Sequence, residues 1–313
     1  MINSDGKIPV IVVVGPTASG KTGLGIKIAR EYNGEIVSAD SMQIYKGFPI
    51  ASAAPSEEEK KLAVHHLVEF LEPSVKFSVA QYVELAGEKI RDIHLRGKIP
   101  VIVGGTGLYI NSLIDGIAFS SQETDTLLRK QLEDEYEKIG GEEMLKKLAE
   151  FDSYTAKKLS SGDKRRIVRA FEVYKTTGMT VTEQNRLSRI NGSPYSPIMI
   201  GISFSDREKL YERINRRVDV MLENGLIDEA KSFTQKGMTA AQAIGHKELM
   251  PYIDGIISMD DAIETLKRET RRYAKRQLTW FRRDERIRWV YADTEDVWKK
   301  TKEIINEKGV TNV

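Results

Sequence analysis

A complete phosphate-binding motif lies near the start of the chain. Residues 15–22 fit the pattern GxxxxGK[ST] and follow directly on the apolar run Ile8–Val14, which is typical of a buried parallel strand. Helix-like spacing then continues over Lys21–Arg30. In such a strand–loop–helix unit, backbone N–H groups hold phosphate oxygens, Lys21 adds positive charge, and the Thr22 hydroxyl suits Mg²⁺. The motif leaves open which phosphate is bound, and its candidate contacts are Gly15, Pro16, Thr17, Ala18, Ser19, Gly20, Lys21 and Thr22.

Two further polar residues follow other predicted strands. Asp40 comes after the strand at 35–38, and Thr106 carries the only hydroxyl in the glycine-rich stretch 104–107. Ligands of open parallel sheets bind beyond the carboxyl ends of the strands, so we expect both side chains beside the phosphate-binding loop. A carboxylate there can hold Mg²⁺ through water or accept a proton from an attacking group. Two structural alternatives stay open: Asp40 caps the following helix, and the glycines form only a tight turn.

Two basic stretches could bind an anionic polymer. The first comprises Lys164–Arg166 and Arg169, in a helix predicted to turn Ile167, Phe171 and Tyr174 toward the core. The second covers 264–288, where ten Lys or Arg residues stand against four acids. Such runs are usually solvated surfaces, but two of them flanking an anion-binding cleft favour phosphodiester contacts. In the second stretch, one helix face carries Arg268, Arg272, Lys275 and Arg276, and another carries Ile263, Leu266, Thr270, Tyr273 and Gln277.

The adjacent pair His65–His66 raises the question of a metal site, because histidine is the commonest metal ligand. Neighbouring residues point to different sides, and the sequence has no HExxH-type helix. We therefore predict a structural role for the pair.

Composition limits the class of protein. The 313 residues are 40% apolar and 30% charged, which is typical of a soluble globular protein of one large or two modest domains. The chain has no cysteine, which excludes disulfides, thiolate zinc sites and cysteine nucleophiles and fits a cytoplasmic protein. No apolar run approaches the roughly 20 residues of a membrane span, so we expect no membrane partner. Because the net charge is only +2, nucleic-acid binding would need local patches.

The order of predicted elements indicates an α/β fold with a P-loop NTPase-like core and a mostly parallel sheet. The alternation of strands and helices stops between residues 120 and 195, where only helical patterns occur before the turn signal at 191–194. We predict a core of residues 1–119 and 196–313, with a C-terminal basic helix, and an inserted all-helical subdomain over 120–195. Predicted strands cover 9–14, 35–38, 100–104, 197–203 and 287–291, and predicted helices cover 79–96, 125–139, 142–151, 163–177 and 262–283.

In their order along the chain, these motifs resemble the bacterial tRNA dimethylallyltransferases. The matching stretches run from Val10 to about Arg283 and are far more specific together than the phosphate-binding loop alone. The resemblance implies Mg²⁺-dependent transfer of a dimethylallyl group from dimethylallyl diphosphate to N6 of adenosine 37, in tRNAs reading codons that begin with U. The stretches are GPTASGKT, DSMQIYKG, HHL, FSVAQY, GGTGLYI, DKRRIVRAFEVYKTTG, LYERINRRVDVML, AIGHKEL and AKRQLTWFRR.

The resemblance also implies roles for individual residues. The loop 17–22 would hold the diphosphate with Mg²⁺ near Thr22, Asp40 would be the general base, and Arg217 would help to hold the diphosphate. Thr106 would touch the flipped adenosine. Contacts with the tRNA anticodon stem-loop are implied for Asp40, Ser41, Met42, Gln43, Thr106, Arg129, Arg165, Arg166, Ile167, Val168, Arg169, Gly245, His246 and Lys247. From the helix-face pattern we add Arg272 and Arg276 as tRNA contacts.

Three positions depart from the family pattern. Ala54 stands where lysine is frequent, Val64 replaces a proline, and His246 replaces the usual tyrosine of an IGYKE motif. These changes concern local tRNA contacts and loop geometry rather than the phosphate-binding loop or Asp40. The sequence also lacks the Cys/His zinc finger of eukaryotic relatives, so we expect a bacterial-type enzyme, acting as a monomer.

Two other functions share parts of this residue set. A P-loop kinase acting on a nucleoside or small metabolite would use the same loop, Mg²⁺ and carboxylate, but would transfer a γ-phosphate. A nucleotide-gated RNA-binding protein would use the basic surfaces without covalent chemistry. The helical insert is large for a metabolite kinase, and the pair Asp40 and Thr106 argues for catalysis.

Overall fold

The fold described here is that of a computed structural model, which covers residues 6–119, 125–190, 192–232 and 243–309. The first residues of the predicted insert, 120–124, and Asn191 of the predicted turn lie outside this range. Within it, the predicted α/β fold with an inserted helical subdomain is confirmed. The chain divides into one unit of residues 1–114 and 194–313 and a second unit of residues 115–193.

The first unit is built on a six-stranded sheet in which every neighbouring pair is parallel. The order across the sheet is β3-β2-β4-β1-β5-β6, so the phosphate-binding loop after β1 lies between the ends of β4 and β5. Five strands were predicted from the sequence, and the two-residue β3 was missed because so short an element has no periodicity. The strands are β1 Ile8–Val14, β2 Gly34–Ser38, β3 His65–His66, β4 Ile99–Gly104, β5 Tyr195–Ser203 and β6 Ile287–Tyr291.

Helices cover both faces of the sheet. Strand β1 shows why, since its side chains alternate between two cores: Val12 packs with Ile90 and Ile110 on one face, and Val13 packs with Ile28 on the other. The helices of this unit are α1 Lys21–Glu31, α2 Glu57–Leu62, α3 Val79–Leu95, α4 Gly107–Ile114, α10 Arg207–Glu223, α11 Leu226–Ser232, α12 His246–Ile253, α13 Met259–Phe281 and α14 Val297–Asn306. None of the described helices is long and apolar enough to cross a membrane.

The second unit is helical throughout its described part. Its core contains Leu132, Met144, Leu148 and Phe171, and Ile167 lies among them as predicted. Tyr174, also predicted to be core, stacks on Phe151 but remains 38% exposed. The short helices α7 and α9 were not predicted. The elements are α5 Thr126–Ile139, α6 Gly141–Phe151, α7 Ser153–Lys158, α8 Lys164–Thr177 and α9 Val181–Leu187.

A buried ionic cluster surrounds Glu35, the second residue of β2. The Glu35 carboxylate, 3% exposed, accepts hydrogen bonds from Arg96 (2.5 and 2.8 Å), Lys98 Nζ (2.7 Å) and His66 Nε2 (2.8 Å). The Arg96 hydrogen bonds are the main cause that holds the pKa of Glu35 well below its usual range. His65 donates from Nδ1 to the Ala63 carbonyl at 2.8 Å, so both histidines have structural contacts.

We expect Glu35→Gln to lower the free energy of unfolding by about 1–3 kcal/mol at pH 7, because it leaves the cationic side chains of Arg96 and Lys98 facing a neutral group. Since the pKa of Glu35 is depressed in the folded state, its contribution is fully present above the pH where the unfolded carboxyl titrates, about 4.3, and declines progressively as the pH falls below that value toward the folded pKa. Urea unfolding at pH 7 and at pH 3 measures both effects, with the exposed Glu88→Gln on α3 as control. Equal stability of wild type and Glu35→Gln at pH 7 would contradict this account.

Candidate active site

The phosphate-binding loop joins β1 to the N-terminus of α1. Gly20 immediately precedes the helix with φ of 95°, a left-handed conformation that glycine adopts without strain. The first turn of α1 contains no acidic residue, so the positive end of the helix dipole remains available to an anion. The ammonium group of Lys21 donates to the Pro16 carbonyl at 2.6 Å, which folds the side chain back over the loop.

Burial lowers the pKa of Lys21 to about 7, the neighbouring Arg217 charge adds to this effect, and Asp40 opposes it. Burial also lowers the pKa of Arg217, whose guanidinium stays charged at neutral pH. Two cationic side chains are thus held together in a poorly solvated place. A bound polyanion would relieve their mutual repulsion and would favour the charged form of Lys21.

Asp40 and Thr106 lie just beyond the carboxyl ends of the adjacent strands β2 and β4, where residues that follow parallel strands are expected. Asp40 Oδ1 accepts the backbone N–H of Met42 at 2.9 Å, so the capping alternative is partly right, although the residues cap a turn and not a helix. Within the described part of the chain, Oδ2 has no hydrogen-bond partner. Thr106 Oγ1 accepts the Ser41 N–H at 3.0 Å and lies 3.3 Å from Ser41 Oγ. The two segments therefore form one polar wall.

Close backbone approach explains the glycine-rich stretch after β4. A side chain at Gly104 would overlap the carbonyl group of Ala39, and a side chain at Gly107 would overlap the indole of Trp280. The Thr106 N–H donates to the same Ala39 carbonyl at 3.1 Å. The glycines thus bring Thr106 within hydrogen-bonding distance of Ser41.

Gln277 is a site residue that the sequence analysis missed. From α13 its Oε1 accepts the Thr17 N–H at 2.8 Å, and its Nε2 donates to the Gly105 carbonyl at 3.0 Å. One buried amide thereby connects the phosphate-binding loop with the Thr106 segment. Tyr273 lies one turn earlier on the same helix, and burial raises its pKa so that the phenol stays neutral. The available signal was polar residues on the apolar face of this helix.

Helix α10 supplies arginines to the loop from the opposite side. Arg213 Nε donates to the Ala18 carbonyl at 3.1 Å, and its guanidinium lies 5.5 Å from the ring centre of Phe204. Arg217, one turn further along the helix, lies between two cavities, as do Lys21 and Thr22. Arg213 was not predicted, because its only signal was its position one helical turn before Arg217.

Two cavities adjoin at these residues. The first, about 340 Å³, has Asp40, Ser41 and Gln43 on one side and Tyr273 and Arg276 on the other. The second, about 630 Å³, is lined by Ala18, Gly20, Arg213, Arg216 and Glu59. Ala54, one of the departures from the family pattern, lines the second cavity. The first cavity thus combines hydrogen-bonding groups with the charged side chains of Asp40, Lys21, Arg217 and Arg276, and the second cavity is mainly cationic.

The residues present fit a Mg²⁺ ion held jointly with a phosphate ligand. Thr22 offers a hydroxyl and Asp40 a carboxylate on the wall of the same cavity, and hard oxygen donors suit this ion. Among the described residues, no group of three or more His, Cys, Asp and Glu side chains forms a complete metal site. Phosphate oxygens and water would therefore supply most of the coordination, as is common for Mg²⁺.

On α8, the implied RNA contacts separate into two sets. Arg165, Arg166 and Arg169 are exposed, whereas Ile167 and Val168 are 0% and 2% exposed in the core of the helical unit. The side chains of Ile167 and Val168 therefore cannot contact RNA, because the helical period turns them inward. Buried Glu172 fixes Arg169 and one further arginine, accepting from Arg129 at 2.7 Å and from Arg169 at 2.9 Å. Arg129 and Arg169 are thus held in place by one buried carboxylate.

A similar correction applies to the start of α12. His246 is 2% exposed and its Nε2 donates to Glu229 at 2.9 Å, so its side chain cannot reach RNA. Gly245 is also buried, whereas Lys247 is exposed. On α13, Arg272 is exposed but donates to Glu269 at 2.6 Å, and Arg276 lines the first cavity.

The family comparisons agree with this geometry. A family model described as IPP transferase matches residues 43–284, and one described as isopentenyl transferase matches residues 8–68. The chain is 46% identical to a tRNA dimethylallyltransferase of Carboxydothermus hydrogenoformans, covering 97% of this chain and 98% of the relative. It is 43% identical to a tRNA dimethylallyltransferase of Caldanaerobacter subterraneus, covering 96% and 97%.

Solved structures show the same fold. The full-length tRNA isopentenylpyrophosphate transferase of Bacillus halodurans matches with a TM-score of 0.71 and 42% identity over 96% of each chain. A eukaryotic dimethylallyltransferase acting on tRNA matches with a TM-score of 0.82 and 29% identity, covering 96% of this chain and 79% of the other.

Proposed function

Because this chain belongs to the IPP transferase family, we propose that it transfers a dimethylallyl group from dimethylallyl diphosphate to N6 of adenosine 37 in tRNAs reading codons that begin with U. The products are N6-(dimethylallyl)adenosine and diphosphate. One observation carries the proposal: the cationic side chains of Lys21 and Arg217 line the same cavity as Asp40, whose Oδ1 accepts the Met42 N–H and whose Oδ2 is the other carboxylate oxygen.

The chemistry requires two substrates to be aligned. A neutral exocyclic amine is a weak nucleophile, so it must be held against an allylic carbon whose leaving group is already stabilised. The N–C bond forms as the C–O bond to diphosphate breaks. Negative charge grows on the departing diphosphate, where Lys21, Arg217 and the N-terminus of α1 are placed to stabilise it. Mg²⁺ bound near Thr22 would add charge stabilisation.

Asp40 is suited to collect the proton that the amine loses. Its Oδ1 is fixed by Met42, which leaves Oδ2 to act as a base. Ser41 and Gln43 provide hydrogen-bonding groups in the same cavity, suited to the edge of a nucleobase, and Thr106 Oγ1 fixes Ser41 by accepting its N–H. A base must leave its stack to enter such a cavity, which is easier in an anticodon loop than in a duplex.

The experiment uses an anticodon stem-loop carrying adenosine at position 37 and a matched stem-loop with guanosine there. After incubation with dimethylallyl diphosphate and Mg²⁺, the RNA is digested and its nucleosides are analysed by mass spectrometry. We expect prenylated adenosine from the first RNA and no prenylated nucleoside from the second. Equal modification of both would overturn the assignment of adenosine 37.

The exposed arginines of each unit are proposed to contact the RNA backbone. Arg166, with 65% of its side chain exposed, has a weak ion pair with Asp163 at 3.7 Å, and Arg272 is 62% exposed. We expect Arg166→Ala, and separately Arg272→Ala, to weaken stem-loop binding. Each should make the slope of log affinity against log salt shallower by about 0.7–0.9, the value for one lost phosphate contact. Affinity for dimethylallyl diphosphate should not change.

Titration of the stem-loop at several salt concentrations measures these slopes. Lys146→Ala is the matched control, because Lys146 is 74% exposed on a neighbouring helical surface and pairs with Glu143 at 3.1 Å. Slopes of both arginine variants equal to that of the control would mean that these basic faces are only solvated.

A further inference from the structure

A buried carboxylate outside the reactive group joins three segments of the first unit. The side chain of Glu229, on α11, is only 7% exposed. Its Oε2 accepts the Ile50 N–H at 2.8 Å, and its Oε1 accepts the Ala51 N–H at 2.9 Å. The same Oε1 accepts from His246 Nε2 at 2.9 Å. Glu229 therefore ties α11 and α12 to the loop 48–54.

The loop continues this connection to the wall of the first cavity. Gln43 Nε2 donates to the Ala53 carbonyl at 2.9 Å, and Ser38 Oγ donates to Gln43 Oε1 at 3.0 Å. The amide plane of Gln43 is thus fixed from both ends. Gln43, Ala51, Ser52 and Ala53 all line the cavity, so a shift of the loop changes its shape and turns an amide that faces it.

His246 holds the same loop at a second point. Its ring centre lies 5.0 Å from that of Phe48, and both side chains are buried. The Phe48 carbonyl accepts the Ser52 N–H at 3.1 Å, which closes a turn over the two N–H groups that Glu229 binds. Although His246 replaces the usual tyrosine of the family pattern, its side chain provides a buried hydrogen-bond donor to Glu229.

The three donors that Glu229 binds explain why this position is polar. An apolar side chain there would leave the N–H groups of Ile50 and Ala51 and the Nε2 donor of His246 without an acceptor. A carboxylate also fixes the orientation of the loop backbone, because its two oxygens accept hydrogen bonds from two successive N–H groups. Those groups determine where the following carbonyl of Ala53 meets Gln43.

We propose that Glu229 is a positioning residue for the nucleobase compartment. It fixes the loop 50–53, the loop orients the Gln43 amide, and that orientation sets how well the RNA base is held for reaction. The inference rests on the proposed function, since it takes the first cavity to be the site of the base.

Glu229→Gln tests the first link. The amide can accept with only one of its two polar atoms, so its NH₂ group would face the N–H of Ile50 or of Ala51 as a second donor. We expect about a tenfold loss in kcat/KM for the stem-loop, the size of one or two weakened hydrogen bonds. The KM for dimethylallyl diphosphate should not change. Asp228→Asn, an exposed neighbour on α11, is the matched control and should behave as wild type.

A double-mutant cycle with Gln43→Ala tests the second link. If Glu229 acts through Gln43, adding Glu229→Gln to the Gln43→Ala variant should lower kcat/KM for the stem-loop by less than about twofold, because the effects of coupled residues do not add. A tenfold loss in both backgrounds would overturn the proposal. Where Glu229→Gln is too unstable, His246→Phe removes one donor and keeps the ring against Phe48, with about a threefold loss expected and the same coupling. A wild-type chain that transfers no dimethylallyl group would instead refute the proposed function itself.

Discussion

Replacing Asp40 by asparagine should slow the chemical step by roughly 10²–10⁴-fold, the usual contribution of a general base. The substitution preserves the local structure, because the amide oxygen can still accept the Met42 N–H that Asp40 Oδ1 accepts at 2.9 Å. What is lost is the second carboxylate oxygen, which would accept the proton as the N–C bond forms. Single-turnover rates with saturating stem-loop and dimethylallyl diphosphate measure the step.

Stem-loop affinity and thermal melting of Asp40→Asn are the controls, and both should stay close to wild type. A single-turnover rate within about threefold of wild type would assign Asp40 to turn capping or to the outer coordination of Mg²⁺. The base would then have to be water or the leaving diphosphate.

Replacing Lys21 by alanine should lower kcat/KM for dimethylallyl diphosphate by about 10²–10³-fold, the range for loss of one preorganised electrostatic group. Lys21 faces the cavity together with Arg217, and the Pro16 carbonyl holds it over the loop. Stem-loop affinity should not change. Parallel collapse of RNA binding would mean that the loop holds RNA phosphates instead.

The pH profile gives an independent check on Lys21. Burial lowers its pKa to about 7 in the free protein, and the ammonium form is the one that attracts diphosphate. In the wild type, kcat/KM for the diphosphate substrate should therefore be level below pH 7 and fall by up to about tenfold per unit above it. Lys21→Ala should lose this decline. A profile of unchanged shape in the variant would remove Lys21 from diphosphate binding.

The parts of the site that the sequence predicted are those encoded locally. A strand, a glycine loop and a helix follow one another within residues 8–31, so the position of Lys21 needs no distant information. Asp40 and Thr106 were placed correctly because the carboxyl ends of parallel strands meet at one edge of a sheet. The order of the strands in the sheet was not predicted, because the alternation of strands and helices along the chain does not determine which strands are adjacent.

The residues that were missed act across long separations in the chain. Gln277 bonds to Thr17, 260 positions away, and Glu229 bonds to Ile50 and Ala51, 179 and 178 positions away. In the sequence, each of these residues is only a polar side chain on a helix face predicted to be buried. Its role can be inferred only when its distant hydrogen-bond partner is known. The opposite error arose on α8, where a contiguous motif suggested RNA contacts for Ile167 and Val168, although helical geometry buries them.

Two parallel reactions test the central claim most directly. In each, unmodified stem-loop RNA is incubated with the protein and Mg²⁺. One reaction contains dimethylallyl diphosphate labelled in the allyl group, and the other contains γ-labelled ATP. The label is followed into RNA, diphosphate and small molecules in both reactions. We expect the allyl label to enter RNA with one diphosphate released per group transferred, and no label to leave ATP for another acceptor. Transfer of γ-phosphate at comparable efficiency, or RNA binding without transfer of either label, would contradict the account.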